Sequence, residues 1–198
     1  MTHSLHRKGK RSDLENDYII LAMLAANFNN KYEDSRRKLI EIGEILKKYN
    51  PINIMSEAAW KMSPVITATF TEIEIVKKII KEFKEKDFGI SIVISGLIIE
   101  IEAILSEIGL KTHTVHLSLG TFGKKELLPL EDTLEITTMC GHHCISPTSV
   151  STIVKQVALK KISIDKAIKK LSKPCVCGIF NESRAYKILT SMIKKHTL

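Results

Sequence analysis

The feature that most constrains the fold is an alternation of strand-like apolar runs with amphipathic helices in the first half of the chain. Three runs are rich in β-branched or continuous apolar residues, as buried strands are: residues 18–24, 65–70 and 90–94. A strand that is followed by a helix and then by another strand is the repeating unit of a parallel sheet. The sequence therefore predicts an α/β fold of three layers, with a mostly parallel sheet flanked by helices.

The helices of this pattern are predicted at residues 35–49, 72–86 and 97–108, where apolar side chains recur at helical spacing. Two further strands are predicted. Residues 113–119 alternate between polar and apolar side chains, and residues 134–139 form a run that ends directly before Cys140. Because ligands of parallel sheets bind at the carboxyl ends of the strands, Cys140 is expected at such an edge.

The C-terminal third, from about residue 145 to 198, is predicted to be mainly helical and to carry a cysteine and histidine site. Ser146 and the proline after it have the residue types that open a helix. The helices expected here cover residues 147–159, 164–171 and 182–195. Together with the preceding strands, they are predicted to form a single α/β domain over residues 17–198, preceded by a flexible basic arm over residues 1–16.

All four cysteines lie in two short segments that contain glycine, and none lies inside the apolar runs. The first segment has the spacing C-x₃-C and holds Cys140 and Cys144; the second has the spacing C-x-C and holds Cys175 and Cys177. Paired cysteines in loops are typical of metal ligands, so the four thiols are predicted to bind zinc or an iron–sulfur cluster. The C-x₃-C pair fits a zinc knuckle, whereas C-x-C is tighter than usual, and neither common ferredoxin spacing is present.

A thiolate enzyme is the alternative interpretation of the same segments. Cys140 is followed by His142 and His143, and a neighbouring histidine or a helix N-terminus lowers the pKa of a thiol. Cys140, His142 and His143 are therefore the candidate catalytic residues, with one histidine as the base. Four reduced cysteines that only support the fold are the third interpretation.

A basic loop is predicted to bind an anionic substrate or cofactor. Gly120, Thr121, Gly123 and Lys124 combine flexible backbone, a hydroxyl group and positive charge, which suits an anion-binding turn. Arg184, one turn into the last helix, is predicted to assist near the second cysteine pair.

The composition limits the classes of function. The net charge is +8, from 30 basic and 22 acidic residues, but most of the excess is lysine spread along helix faces, so nucleic-acid binding is not favoured. The apolar runs are too short to span a membrane, no signal peptide is apparent, and a reducing cytoplasm is expected. The composition is also compatible with a homo-oligomer.

Two functions follow from these patterns. The first is a cytoplasmic enzyme that uses a metal or a thiolate on a small anionic substrate or cofactor, with a site built from the two cysteine segments. The second is a zinc-stapled domain without catalysis, whose lysine-rich faces bind RNA or another partner.

Overall fold

The computed structural model describes residues 7–196. Contacts divide the chain into two compact units. The helical unit contains described residues 7–10, 114–175 and 180–196, and the sheet unit contains residues 11–113 and 176–179. Residues 1–6 of the predicted arm lie outside the described residues, and Arg11–Leu14 forms a short helix, α1. The flexible arm and the single domain over 17–198 stay predictions.

The sheet unit contains four strands and four further helices. They are, in chain order, β1 (Tyr18–Met23), α2 (Ser35–Lys48), β2 (Asn53–Ile54), α3 (Glu57–Trp60), β3 (Val65–Phe70), α4 (Ile73–Lys86), β4 (Ser91–Ser95) and α5 (Ile98–Glu107). The predicted strands at 18–24, 65–70 and 90–94 are confirmed, as are the helices at 35–49, 72–86 and 97–108, with ends that differ by one or two residues.

The prediction of a three-layer fold with a mostly parallel sheet is wrong. The strand order is β2-β3-β1-β4, and every neighbouring pair is antiparallel. Since β3 and β4 both run opposite to β1, they run parallel to each other, as a strand–helix–strand unit requires, but β1 lies between them. The same holds for β1 and β2, which β3 separates. These two interleaved units form the βαββαβ arrangement of split βαβ motifs.

Helix α2 packs closely against β3. A Cβ atom on Gly43 would lie 2.9 Å from the Trp60 ring and 3.0 Å from Cδ1 of Ile66, so only glycine lets the helix approach this far. Trp60 is buried, and its indole Nε1–H donates to the main-chain oxygen of Met55 at 2.9 Å. The single tryptophan is therefore a core residue of the sheet unit.

Residues 176–179 pack against β2 and β3 within the sheet unit. The Thr69 hydroxyl donates to the Gly178 main-chain oxygen at 3.1 Å, and the Thr67 hydroxyl donates to that of Cys177. Gly178 has a φ of +68°, and a Cβ atom there would lie 2.2 Å from the carbonyl carbon of Ile54. Because that contact is with backbone, no side-chain rotation can relieve it.

The Gly178→Ala variant is expected to lose about 3 kcal/mol of unfolding free energy, because it adds a backbone clash to an unfavourable left-handed conformation. Gly89→Ala is the matched control. Gly89 has a similar φ of +63°, and a Cβ atom added there would meet no other atom within 4 Å, so its loss should be about 1 kcal/mol. Urea denaturation followed by circular dichroism measures both values, and equal losses would contradict the close contact at Gly178.

The helical unit contains four helices: α6 (Glu131–Thr137), α7 (Pro147–Ala158), α8 (Ile164–Ser172) and α9 (Glu182–His196), preceded by a 3₁₀ turn at Lys125–Leu127. The three helices predicted for the C-terminal third are confirmed as α7, α8 and α9. The cap predicted at Ser146 forms, since Ser146 Oγ accepts from the Ser149 amide at 3.1 Å. At the start of α9, Asn181 Oδ1 accepts from the Arg184 amide at 2.9 Å.

Two predicted strands are wrong. Residues 134–139 lie in and directly after α6, which has Glu131 and Asp132 in its first turn, where acidic side chains stabilise a helix. Buried Ile136 and Met139 supply the apolar signal, and a short apolar run fits a buried helix as well as a strand. Residues 113–119 form neither strand nor helix. Because α6 ends three residues before Cys140, Cys140 follows a helix rather than a strand.

Candidate functional site

Cys140 and Cys144 lie on one tight turn between α6 and α7. The amide of Cys140 donates to the Thr137 oxygen at 3.3 Å, and the amide of His143 donates to the Cys140 oxygen at 3.0 Å. His143 has a φ of +54°, which turns the chain so that Cys144 stands just before the first turn of α7. Cys140 is thereby buried at 0% exposure, whereas Cys144 is exposed.

Cys175 reaches the same place from the end of α8. Its amide donates to the Ser172 oxygen at 2.9 Å, and its side chain is buried. The Cys140 thiol is hydrogen-bonded to the Cys175 thiol and interacts with that of Cys144, and the main-chain amides of Cys144 and His142 also donate to the Cys140 sulfur. Three thiols of the helical unit therefore meet around Cys140; we call them the thiol cluster.

The environment of the thiol cluster raises the pKa values of Cys140 and Cys144. Hydrogen bonding to the Cys175 thiol, followed by burial, raises the pKa of Cys140 well above its ordinary value. Partial desolvation, followed by the charge of Cys140, raises the pKa of Cys144. A buried thiol with a raised pKa is a poor nucleophile, so this environment does not activate Cys140 by itself. A bound cation would lower the pKa values of these thiols, because metal ligation deprotonates thiols.

The thiols are not arranged as a preformed metal cage. Within residues 7–196, no group of three or more histidine, cysteine, aspartate or glutamate side chains is placed to hold a metal ion. Cys140 interacts with Cys144 and with Cys175, but the three sulfurs do not surround a common point at which an ion could bind. Cys177 belongs to the sheet unit, and its role as a fourth ligand stays a prediction.

The two histidines of the turn are exposed. His142 and His143 both have solvent-accessible side chains, and the sulfur of Cys144 lies 3.9 Å from the His142 main-chain oxygen. They stand within the turn that carries Cys140 and Cys144, so they can meet a ligand that approaches from solvent. Their role as a catalytic base stays a prediction.

Lys8 is a residue of this region that the sequence interpretation did not single out. Its amide donates to the Thr138 hydroxyl at 2.9 Å, two residues before Cys140, and its ammonium group donates to the Thr121 hydroxyl at 2.8 Å. Its main-chain oxygen accepts from the Arg184 guanidinium. Lys8 thus connects the basic loop to the turn of the thiol cluster. Its only signal in the sequence was its place in the basic arm predicted over residues 1–16.

The predicted anion-binding loop is open to solvent. Gly120 and Gly123 have φ values of +96° and +91°, and a methyl group at either position would meet no atom within 4 Å. Gly120, Gly123 and Lys124 are exposed, and Thr121 is half-buried beside the Lys8 ammonium. An anion at this loop would meet positive charge from Lys8 and Lys124, so the loop stays a candidate.

Arg184 lies in a buried ion pair. Its side chain is 2% exposed, and Nη2 lies 3.7 Å from Oε2 of Glu135, whose side chain is 8% exposed. The pair joins α9 to α6 within the helical unit, and Glu135 compensates the guanidinium charge. The structure thus gives Arg184 a protein partner at the place where the sequence predicted an anionic ligand.

Comparisons with protein-family models, curated proteins and solved structures give no match to this chain. The described helices include none with the length and apolar character needed to cross a membrane. The function has to be inferred from the thiol cluster and the residues beside it.

Proposed function

We propose that this chain is a zinc-dependent enzyme in which Cys140, Cys144 and Cys175 bind the ion. The observation that carries the proposal is the contact of the Cys140 thiol with the thiols of both other cysteines in the helical unit. Thiols that already interact with one another could bind one cation at sulfur–zinc distances of about 2.3 Å once their side chains reorient. Amides that donate to the Cys140 sulfur would then stabilise the thiolate ligand.

Zinc suits this set better than an iron–sulfur cluster. Clusters usually take four thiolates, whereas zinc accepts three thiolates with a nitrogen or a water in the fourth position. The exposure of Cys144 favours a fourth position that solvent can reach, with His142 and His143 beside it. A zinc ion with three protein ligands lowers the pKa of a bound water or polarises a substrate oxygen. Either histidine could move the proton of such a water.

The proposed substrate is small and anionic. Lys8 and Lys124 supply the positive charge, and Thr121 supplies a hydroxyl group beside the Lys8 ammonium. Lys8 also donates its amide to Thr138, two residues before Cys140, which connects the basic loop with the thiol cluster. A cytoplasmic location is part of the proposal, because the ligands must stay reduced.

A zinc staple without catalysis is the second candidate. The complete burial of Cys140 favours it, since structural zinc sites are closed and fix the surrounding chain. In that case the ion would hold the end of α8 to the turn between α6 and α7, and lysine-rich faces would bind RNA with a strong dependence on salt.

A cobalt titration separates the two candidates. Co²⁺ is added to the metal-free protein under anaerobic, reducing conditions, and the absorption spectrum is recorded before and after addition of inorganic phosphate. For the enzyme we expect thiolate-to-metal absorption at one equivalent of Co²⁺ and visible bands that change when phosphate enters the open position. Bands that do not respond to phosphate, together with salt-sensitive RNA binding, favour the staple. Absence of thiolate-to-metal absorption contradicts both.

A further inference from the structure

The segment from residue 115 to 130 of the helical unit exposes an unusual number of large apolar side chains. Leu117, Leu119 and Phe122 are 65%, 85% and 79% exposed, and Leu127 and Leu130 are 75% and 82% exposed. Val115 and Leu128 are each 43% exposed. Single exposed leucines are common on protein surfaces, whereas seven such side chains within sixteen residues are typical of a surface that another molecule covers.

The main chain of this segment has a strand-like sequence but pairs with no strand of residues 7–196. Residues 115–119 alternate between apolar and polar side chains, which is the pattern that predicted a strand there. Within the described part of the chain, the main-chain amide and carbonyl groups of Val115 to Leu119 make no hydrogen bond. A row of unpaired main-chain groups beside apolar side chains is a template for addition of another strand.

The alternation makes the segment complementary to itself. Val115, Leu117 and Leu119 occupy alternate positions and so share one face of an extended chain, with His116 and Ser118 on the other. In an antiparallel pair with Leu117 opposite its own copy, Val115 lies opposite Leu119, and every apolar residue meets an apolar residue. Such a pairing has the two-fold symmetry of the commonest homodimers.

The exposed area is sufficient for a stable dimer. A large apolar side chain that becomes buried removes on the order of 100 Å² from water, so the seven side chains of residues 115–130 provide roughly 700 Å² per copy. Two copies that cover the whole of residues 115–130 would bury roughly 1,400 Å², which falls within the range of about 1,200–2,000 Å² for specific protein interfaces, whereas the three apolar side chains of residues 115–119 alone would supply roughly 600 Å².

We propose that residues 115–119 pair antiparallel with the same residues of a second copy, so that the protein is a homodimer joined by a two-stranded ribbon at this segment. The partner is a second copy because the pattern matches itself, and the ribbon satisfies the main-chain groups of every second residue from Val115 to Leu119. The inference does not depend on zinc binding, since no cysteine belongs to the segment.

Sedimentation equilibrium of the full chain in reducing buffer, over a range of protein concentrations, tests the dimer. Leu117→Lys is the disrupting variant, and Leu159→Lys is the matched control. Leu159 is 66% exposed, also lies in the helical unit, and stands outside the segment. Two buried leucines are lost per dimer, so Leu117→Lys should weaken association on the order of 100-fold. Leu159→Lys should associate as the unmodified chain does.

Hydrogen exchange on the same three proteins tests the pairing. The amides of every second residue from 115 to 119 should be protected in the dimer and should exchange freely in Leu117→Lys. A monomer at every concentration would overturn the proposal, and so would a dimer that Leu117→Lys leaves intact. Free exchange of these amides in a stable dimer would show that the copies meet elsewhere and would overturn the ribbon.

Discussion

The Cys140→Ser variant is expected to bind zinc on the order of 100-fold more weakly than the unmodified chain, or not at all. Cys140 is the thiol that contacts both other members of the cluster, so its loss removes the sulfur that joins the other two. Even partners outside the coordination sphere change metal affinity by about 10–100-fold, and a lost ligand should cost at least as much. A competition titration against a chromophoric zinc chelator measures the affinity.

Four further variants define what this result means. Ile136→Val removes one buried methylene from α6 close to the same turn and should keep full zinc affinity, which separates ligand loss from loose packing. Cys144→Ser and Cys175→Ser should weaken zinc binding as Cys140→Ser does. Cys177→Ser tests the predicted fourth ligand, and unchanged affinity would remove it from the set. Full zinc affinity in Cys140→Ser would contradict the proposed site.

The stability of Cys140→Ser also distinguishes the two candidate functions. If the ion is catalytic, the variant should still unfold in one cooperative transition and should lose only the stabilisation that any ligand of the folded state supplies. If the ion is a staple, the variant should unfold at a clearly lower temperature, since structural zinc contributes folding free energy directly. Thermal unfolding followed by circular dichroism gives the comparison.

The Glu135→Gln variant is expected to lose about 3–5 kcal/mol of unfolding free energy. Glu135 and Arg184 form an ion pair with both side chains buried, and Glu135→Gln removes a compensating negative charge from a guanidinium group in a medium of low dielectric constant. The substitution keeps the shape of the side chain, so the loss reports charge rather than packing. Urea denaturation measures it.

A second ion pair between the same two helices is the control for this prediction. Lys195 on α9 lies 2.6 Å from Asp132 on α6, but their side chains are 65% and 34% exposed. Solvent screens such a pair, and Asp132→Asn should therefore cost about 1 kcal/mol or less. A similar small cost for Glu135→Gln would show that Arg184 does not depend on Glu135, and would return Arg184 to the predicted role of anion binding.

Local structure in the sheet unit could be predicted from the sequence, but strand pairing could not. Apolar periodicity located β1, β3 and β4 and the helices α2, α4 and α5. It also predicted that β3 and β4 run in the same direction. It contains no information on which strand lies between them, because the pairing of β1 with both depends on contacts distant in the chain.

The errors around the candidate site have a common cause. The short apolar run before Cys140 belongs to α6 rather than to a strand. A short buried helix and a buried strand can contain the same run of apolar residues, so the pattern does not distinguish them. The alternating run at 113–119 has the pattern of a strand but joins no sheet in the part of the chain that the structure describes. Alternation shows that a segment can form a strand, but it does not show that a partner strand is present. In the proposed homodimer, residues 115–119 of the second copy would be that partner strand.

The sequence predicted the cysteines of the candidate site but not the contacts of the residues that surround them. The clustering of the cysteines in two short segments predicted a thiol site, and Cys140, Cys144 and Cys175 do meet in the helical unit. Lys8 was missed because its contacts are with Thr121 and Thr138, more than 100 positions away in the chain. Arg184 was predicted to face a ligand because the sequence alone does not show that Glu135 lies opposite.

The metal content of the unmodified protein tests the central claim most directly. The full chain is purified anaerobically, and elemental analysis and an absorption spectrum are obtained from the same sample. The zinc site predicts a colourless protein with about one zinc ion per chain. Near-stoichiometric iron with broad visible absorption would show that the site holds an iron–sulfur cluster instead of zinc. A protein that holds no metal and binds no added zinc would contradict the account.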